Sequence, residues 1–318
     1  MSFSQEVREE LAHLPLDRPC CRRAELAAIV QWNGMLRLSA GGVSLRFDFE
    51  NNAVARRVFH LVKETYGVAP ELSVVQRRQL NRRHTFRLDV PVGEARQLLL
   101  GAGLLREDER GASLHSEVSA ALLRRACCRR AYIRGAFLAA GTLTDPEKDY
   151  RAEFVAQNPA SGRQLAAILE RSGFSCRMIS RKQASIVYMK GGESLSDLLG
   201  VTGAHSALLQ VESVRVMKDM RNQVNRVVNC DNANLDRTMN TAARQVEGIR
   251  RIIRVKGLAW LSPELRRVAE ARLNHPDASL SELVAVLNGE VKKSGVNHRL
   301  KRIEELANEL NGEERDHD

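Results

Sequence analysis

A chain of 318 residues that is 43% hydrophobic but only 4% aromatic can fill two separate cores, built mainly from Leu, Val, Ala and Ile. No apolar run approaches the ~20 residues of a membrane-spanning helix, and the charged stretch Met1–Ala12 lacks the apolar core of a signal peptide. A net charge of +10 suits a polyanionic partner, and six cysteines are too few and too oddly spaced for a secreted disulfide framework. These features predict a cytoplasmic protein with no membrane partner.

The first informative element is the helix opened by Cys20-Cys21-Arg22-Arg23-Ala24, because the same five residues return at Cys127-Cys128-Arg129-Arg130-Ala131. Gly34 then matches Gly141, and Leu36 matches Leu143. Each copy is followed by a strand pair: Met35–Glu50 turning at Gly41-Gly42, and Thr142–Ala156 turning near Asp145-Pro146. A helix comes next, Asn52–Tyr66 in one half and Pro159–Ser172 in the other. A second strand pair follows, Ala69–Val90 and Phe174–Lys190. A short helix closes each half, carrying Gly93-Glu94 with Leu99–Gly101, then Gly192-Glu193 with Leu198–Gly200. Two α-β-β-α-β-β-α halves, 1–108 and 127–214, therefore predict an α+β domain with a pseudo-two-fold axis over residues 1–214. In the repeated helices Ala24, Ala27 and Ala28, and Ala131, Gly135, Ala136 and Ala139, place small residues on one face. Such faces allow two helix backbones to approach closely, which predicts that the copies pack on each other at the axis.

The run Ile133-Arg134-Gly135-Ala136-Phe137-Leu138-Ala139-Ala140-Gly141 resembles the LAGLIDADG motif of homing endonucleases, and Leu26–Gly34 resembles it more faintly. In that family the acidic residue before the final glycine of each motif holds the catalytic divalent metal. The corresponding positions here are Asn33 and Ala140, neither of which supplies an anionic oxygen. Adding MRNQVNRVVNCDNANLDRT (220–238), RLNHPDASLSEL (272–283) and KSGVNHRLKRIEELA (293–307), the chain resembles the WhiA family of bacterial DNA-binding proteins over nearly its full length. That family joins a degenerate LAGLIDADG domain to a helix-turn-helix. The resemblance implies a nucleoid-associated transcriptional regulator of cell division, chromosome segregation and sporulation, with promoter DNA as partner and no enzymatic activity.

Within the first half, Arg77, Arg78, Arg82, Arg83 and Arg87 share a strand pair with no acid between Leu72 and Leu88. The second half offers Arg177, Arg181, Lys182 and Lys190 at corresponding places. Both hairpins are candidates for contacting phosphates; the alternative is a solvated, charged edge. Residues 215–257 form a basic segment, net +6 over 215–256. It is expected to make two helices around Asn229–Asn234, with Leu235, Met239, Ala242, Val246, Ile249 and Ile253 at helical spacing.

Residues 258–318 predict an all-α helix-turn-helix domain, the motif itself at about 279–311. Ser262-Pro263 opens a helix that stops before Pro276, and Ser279 with Glu282 makes a capping box for the next. Ser294 is expected to cap a third helix ending at Asn311-Gly312. Val296, Leu300, Ile303, Ala307 and Leu310 line its core face. Ser294, Asn297, His298, Lys301 and Arg302, with Arg299 at the boundary, then make the candidate recognition surface. Six residues, Asn288–Lys293, separate the last two helices, more than the usual short turn.

No cofactor or metal is expected. Adjacent cysteines do not readily share one tetrahedral ion, no CxxC or His cluster accompanies them, and Lys190-Gly191-Gly192-Glu193-Ser194 has the wrong order for a phosphate-binding loop. The two alternatives to a DNA-binding regulator are a scaffold whose helix-turn-helix binds a protein such as RNA polymerase, and an active endonuclease. Asn33 and Ala140 speak against the second.

Overall fold

The computed structural model describes residues 2–16, 18–39, 41–76, 84–109, 111–181 and 184–315. The chain divides into two compact units, Met1–Lys218 and Asp219–Asp318.

The first unit begins with α1 (Phe3–Ala12) and then repeats one plan twice. In the first half α2 (Pro19–Asn33), β1 (Met35–Ser39), β2 (Gly42–Phe49), α3 (Asn52–Tyr66), β3 (Glu71–Gln76), β4 (His84–Val90) and α4 (Val92–Ala102) follow in order. A hairpin absent from the sequence reading, β5 (Leu105–Asp108) with β6 (Gly111–Leu114), links the halves. The second half comprises α5 (Ala126–Ala140), β7 (Gly141–Leu143), β8 (Arg151–Ala156), α6 (Pro159–Arg171), β9 (Arg177–Arg181), β10 (Ala184–Lys190) and α7 (Gly192–Thr202). The sheets have equivalent orders, β1-β2-β4-β3 and β7-β8-β10-β9, and every pairing is antiparallel. The α-β-β-α-β-β-α halves are thus as the duplication predicts.

Burial alternates along β2 from Ser44 and along β8, whereas in β10 Ser185, Ile186 and Val187 are buried in succession. In β2, Leu45, Phe47 and Phe49 are buried while Ser44, Arg46 and Asp48 look outward; in β8, Ala152, Phe154 and Ala156 are buried. A period of two lets one face join the core while the other stays available to solvent. Burying a Phe or Leu side chain contributes roughly 1.5–3 kcal/mol, and Phe47, Phe137, Phe154 and Tyr132 are among the largest fully enclosed side chains.

The core is organised around α2 and α5, which lie directly against each other. A Cβ added to Gly135 would stand 2.3 Å from the Glu25 carbonyl oxygen and 3.0 Å from the Ala28 Cβ. The small-residue face is therefore what permits the approach. Between the helices Trp32 Nε1 donates to the Tyr132 hydroxyl (3.2 Å), which donates to Gln31 Oε1 (2.5 Å). Gln31 in turn donates to Gln164 Oε1 (2.9 Å) and to the Ser116 carbonyl (2.7 Å). The pseudo-symmetry extends to the helix ends: α4 and α7 both stop at a left-handed glycine, Gly103 (φ 73°) and Gly203 (φ 99°). An L-residue there would be strained.

One long helix, α8 (His205–Lys256), contains the boundary between the units. The two helices expected around Asn229–Asn234 are a single continuous helix, and the asparagines lie within it rather than at a turn. Its buried residues in the second unit are Ala242, Gln245, Val246, Ile249 and Ile252; Leu235, Met239 and Ile253 are exposed, against the expectation for that face. The second unit continues with α9 (Pro263–Asn274), α10 (Leu280–Val286) and α11 (Lys293–Arg315). Its core joins Ile249 and Ile252 to Leu261, Val268, Leu283, Leu287, Val296, Leu300, Ile303, Ala307 and Leu310.

Two boundaries in this unit differ from expectation. The α11 helix begins at Lys293, two residues earlier than a Ser294 cap requires, so Ser294 lies inside it instead of capping it; the first-turn bond runs from the Val296 N–H to the Lys292 carbonyl (3.0 Å). It also runs through Asn311-Gly312 to Arg315, because a single Gly costs a helix only about 1 kcal/mol.

Candidate nucleic-acid interface

The C-terminal ends of α2 and α5 are where the two metal-holding carboxylates of an endonuclease would meet. Asn33 and Ala140 occupy those ends. The Asn33 amide donates to the Asp48 carbonyl (3.3 Å), and its Oδ1 is buried with no donor among the described residues. Asn33 lines a cleft of about 180 Å³ together with Arg8, Asp48, Glu50 and Leu138. Arg8 reaches this place from α1 and donates to the Gly141 carbonyl (2.5 Å). Burial lowers its pKa, and the nearby Glu50 carboxylate partly offsets that shift. The helix ends themselves therefore present a guanidinium and two neutral residues, and the carboxylates of the cleft, Asp48 and Glu50, come from β2 and the residue after it, beside the guanidinium groups of Arg87 and Arg8. Sequence reasoning found Asn33 and Ala140 but missed Arg8, because nothing in residues 1–12 shows which end of the helix pair α1 touches.

The sheets treat their candidate residues differently. Arg77, Arg78, Arg82 and Arg83 lie outside the described residues. Arg87 lies in β4, but it pairs bidentately with Asp48 on β2 (2.9 and 3.1 Å), which raises its pKa. Next in register, Arg46 pairs with Asp89 (2.7 Å). The outward centre of the first sheet is thus neutralised by acids that the sequence run from Leu72 to Leu88 does not contain, since they come from β2 and from the end of β4. The second sheet is more basic. Tyr188 on β10 is flanked by the Arg151 guanidinium, 4.8 Å from its ring centre, and by the Lys190 ammonium at 5.8 Å. Arg177 pairs in register with Tyr188, and the single acid among these outward positions, Glu153, is bonded to Arg151. Aromatic and cationic groups on one exposed face suit contact with phosphate and sugar. Arg151 and Tyr188 were not singled out from sequence, since only strand register puts them beside Lys190. Lys182 lies outside the described residues.

In the second unit the capping box forms as expected. The Ser279 hydroxyl accepts from the Glu282 N–H (3.3 Å), and the Glu282 carboxylate accepts from the Ser279 N–H (2.7 Å). Between α10 and α11 the six residues Leu287–Lys292 include Asn288 and Gly289, at φ 54° and 71°, a left-handed pair that turns the chain. This places the candidate recognition residues. Ser294, His298, Lys301 and Arg302 are exposed on the face of α11 opposite its core. Asn297 is half-buried and lines a groove of about 310 Å³ with Arg237, Thr241, Gln245 and Arg272. Arg299 is held by Glu264 on α9 (2.9 Å), consistent with its boundary position. Arg302 is bonded to Glu305 (2.9 Å), with Glu309 at 3.7 Å, and its pKa is raised by that hydrogen bond first and by the added charge second. Along α8, Arg237, Arg244, Arg250 and Arg254 are exposed.

The fold also gathers what the sequence kept apart. Cys20-Cys21 opens α2 and Cys127-Cys128 opens α5, and their four sulfurs all lie within 4.8 Å of one another. Taken one pair at a time, the sequence predicts only buried structural thiols beside each helix start.

Three domain families match in chain order: the WhiA N-terminal LAGLIDADG-like domain over residues 19–105, the WhiA LAGLIDADG-like domain over 129–221, and the WhiA C-terminal HTH domain over 224–307. The chain is 44% identical over 308 residues to a probable cell division protein WhiA of Heliobacterium modesticaldum, covering 96% of each. It is 41% identical over 312 residues to the protein of the same name from Thermoanaerobacter sp. strain X514, covering 98% of each. Its fold is similar to the crystal structure of full-length DUF199/WhiA from Thermatoga maritima, with a TM-score of 0.58 at 24% identity, covering 97% of this chain and 99% of that one. No helix of the described residues is long and apolar enough to cross a membrane. With all three domains matched in order and identity above 40% along almost the whole chain, this protein belongs to the WhiA family.

Proposed function

We propose that this protein is a sequence-specific DNA-binding regulator without nuclease activity, acting on promoter regions in bacterial cell division, chromosome segregation and sporulation. The observation that carries this reading is the exposed face of α11, where Ser294, His298, Lys301 and Arg302 stand opposite the core behind a properly capped α10. A helix presenting hydrogen-bonding and cationic groups near its N-terminal end suits the major groove. The second sheet adds Arg151, Lys190 and Arg177 around Tyr188 as a backbone-contacting surface. At the ends of α2 and α5, Asn33, Ala140 and Arg8 supply no pair of anionic ligands for the magnesium-assisted hydrolysis that an active endonuclease performs.

Two assays test the reading. Gel shifts of the full chain against promoter and sheared chromosomal DNA, at two salt concentrations, should give tighter promoter binding and an affinity that falls as salt rises. Incubating the same DNA with protein and magnesium or manganese should leave it uncut. Metal-dependent cutting that Asn33→Ala or Arg8→Ala abolishes would overturn the non-nuclease part. A scaffold that binds another protein, for example RNA polymerase, is the second reading. It is favoured by the acids that hold Arg299 and Arg302, and equal, weak binding to every DNA would select it.

A further inference from the structure

We infer that Cys20, Cys21, Cys127 and Cys128 form a four-thiolate site for a structural zinc ion, which clips the two halves of the first unit together at the N-terminal ends of α2 and α5. The geometry suits a tetrahedral ion. Zinc–sulfur bonds of about 2.3 Å place the sulfurs of a regular tetrahedron ~3.8 Å apart. The Cys20 and Cys21 sulfurs are 3.9 Å apart, the Cys127 and Cys128 sulfurs 4.0 Å, and no distance among the four exceeds 4.8 Å. Closing the longest of these to a tetrahedral edge needs a shift of only ~1 Å. Vicinal cysteines can serve here because each pair occupies the first turn of a helix, and the packing of α2 on α5 brings the two turns face to face. Each pair needs to supply only one edge of the tetrahedron.

The surroundings suit the charge. Four thiolates around a divalent ion leave a doubly negative centre. Neither helix has an acidic residue in its first turn or a side chain capping its free N–H groups, so both positive helix ends remain available to offset that charge. Arg22 and Arg129, one residue beyond each pair and equivalent in the repeat, each bury an Nε–H with no acceptor among the described residues. Cys21 and Cys128 are buried, whereas Cys20 and Cys127 are half-exposed. The site is therefore sheltered on one side and reachable on the other, as a closed structural centre with an entry path requires.

This site is distinct from the metal centre of homing endonucleases. That centre lies at the C-terminal ends of the same two helices, 13 residues from Cys20 to Asn33, or ~20 Å along the axis at 1.5 Å per residue. The family resemblance to those enzymes supplies no metal at the N-terminal ends.

The test is the metal content of the full chain, purified under reductant, reconstituted with zinc alone and passed through gel filtration before elemental analysis. One zinc per chain is expected for the wild type and for Cys176→Ser/Cys230→Ser, and none for Cys20→Ser/Cys127→Ser. Circular dichroism reports whether each variant is folded. Should the site variant fail to fold, cobalt replacement in the wild type decides the ligands independently: intense sulfur-to-metal absorption with the visible bands of a tetrahedral ion supports four thiolates. Chelation should also lower the thermal midpoint of the wild type and leave a folded Cys20→Ser/Cys127→Ser variant unmoved. No retained zinc in the reduced, reconstituted wild type overturns the proposal. So does equal zinc in the site variant, a cobalt spectrum without sulfur ligation, or a native disulfide among the four thiols.

Discussion

Arg134 of α5 donates twice to a single oxygen of Glu25 on α2, from Nε at 3.0 Å and from Nη2 at 2.7 Å. Arg57 of α3 binds the same carboxylate from the other side, at 2.5 and 3.1 Å. All three side chains are buried, so one anion and two cations tie α2, α3 and α5 at the centre of the first unit. Replacing such a group by apolar residues can be neutral, whereas removing one partner leaves an uncompensated buried charge. Glu25→Gln should therefore destabilise the protein by about 3–5 kcal/mol, seen as a lower midpoint in calorimetry or urea melts. A change below about 0.5 kcal/mol would show that the two arginines find other partners.

The close approach of α2 and α5 makes a sharper test at Gly135. In a helix Gly→Ala ordinarily stabilises by about 1 kcal/mol. Here the new methyl would sit 2.3 Å from the Glu25 carbonyl oxygen, which is backbone and cannot rotate away. The helices must separate, at a cost of roughly 1–3 kcal/mol or more, so Gly135→Ala should lower the thermal midpoint. Gly93, in the first turn of α4, has nothing within 4 Å of an added Cβ, and Gly93→Ala should be neutral or stabilising. Equal effects at the two positions would contradict the packing argument.

The capping box predicts a pH dependence. The Ser279 N–H and hydroxyl hold the Glu282 carboxyl below its usual range. A carboxyl whose pKa falls on folding stabilises the fold above its unfolded value, about 4.3. That contribution disappears as pH drops through the lower folded value. In the full chain, hydrogen exchange at the α10 amides should be faster in Glu282→Gln than in wild type at pH 7, and the difference should vanish near pH 3. Ser279→Ala should cost about 1 kcal/mol at neutral pH.

On α11 the ion pairs of Arg302 give opposite expectations for neighbouring residues. DNA must compete with Glu305 and Glu309 for this guanidinium. Glu305→Gln should raise affinity for DNA and steepen its salt dependence, while Arg302→Ala should weaken a specific site roughly tenfold, a loss typical of one base contact. His298→Ala should act mainly on the specific site. Asn297→Ala needs a folding check first, because Asn297 lines the groove beside α8. Gel shifts with promoter and random DNA separate these effects. Unchanged promoter binding by folded His298→Ala and Arg302→Ala variants would remove α11 as the reading element.

Replacing the second-sheet cations, Lys190→Ala with Arg177→Ala, should weaken promoter and random DNA alike and reduce the slope of log affinity against log salt by nearly one per lost contact. Arg87→Ala should change that slope far less, because Asp48 already neutralises Arg87. If Arg87 proves as important as Lys190, DNA must break the Asp48 pair on binding.

The duplication of Cys-Cys-Arg-Arg-Ala is read directly along the chain, and the alternation along β2 and β8 and the Ser279/Glu282 spacing are local patterns that local sterics and hydrogen bonding turn into the same elements wherever they occur. The sequence by itself therefore determined the two equivalent halves, the small-residue helix faces, the missing carboxylates at Asn33 and Ala140, and the capping box of α10. The break expected at Asn229–Asn234 does not occur in α8, because the asparagines of 222–240 disfavour a helix only slightly and no Pro or Gly among them interrupts it. What remained depended on partners distant in the chain: Asp48 on Arg87, Arg8 at the end of α5, Tyr188 between Arg151 and Lys190, and Cys20-Cys21 against Cys127-Cys128. Charge neutralisation and ligand geometry fall off over a few ångströms, so only the tertiary structure, by setting strand register and helix packing, decided which of these groups meet.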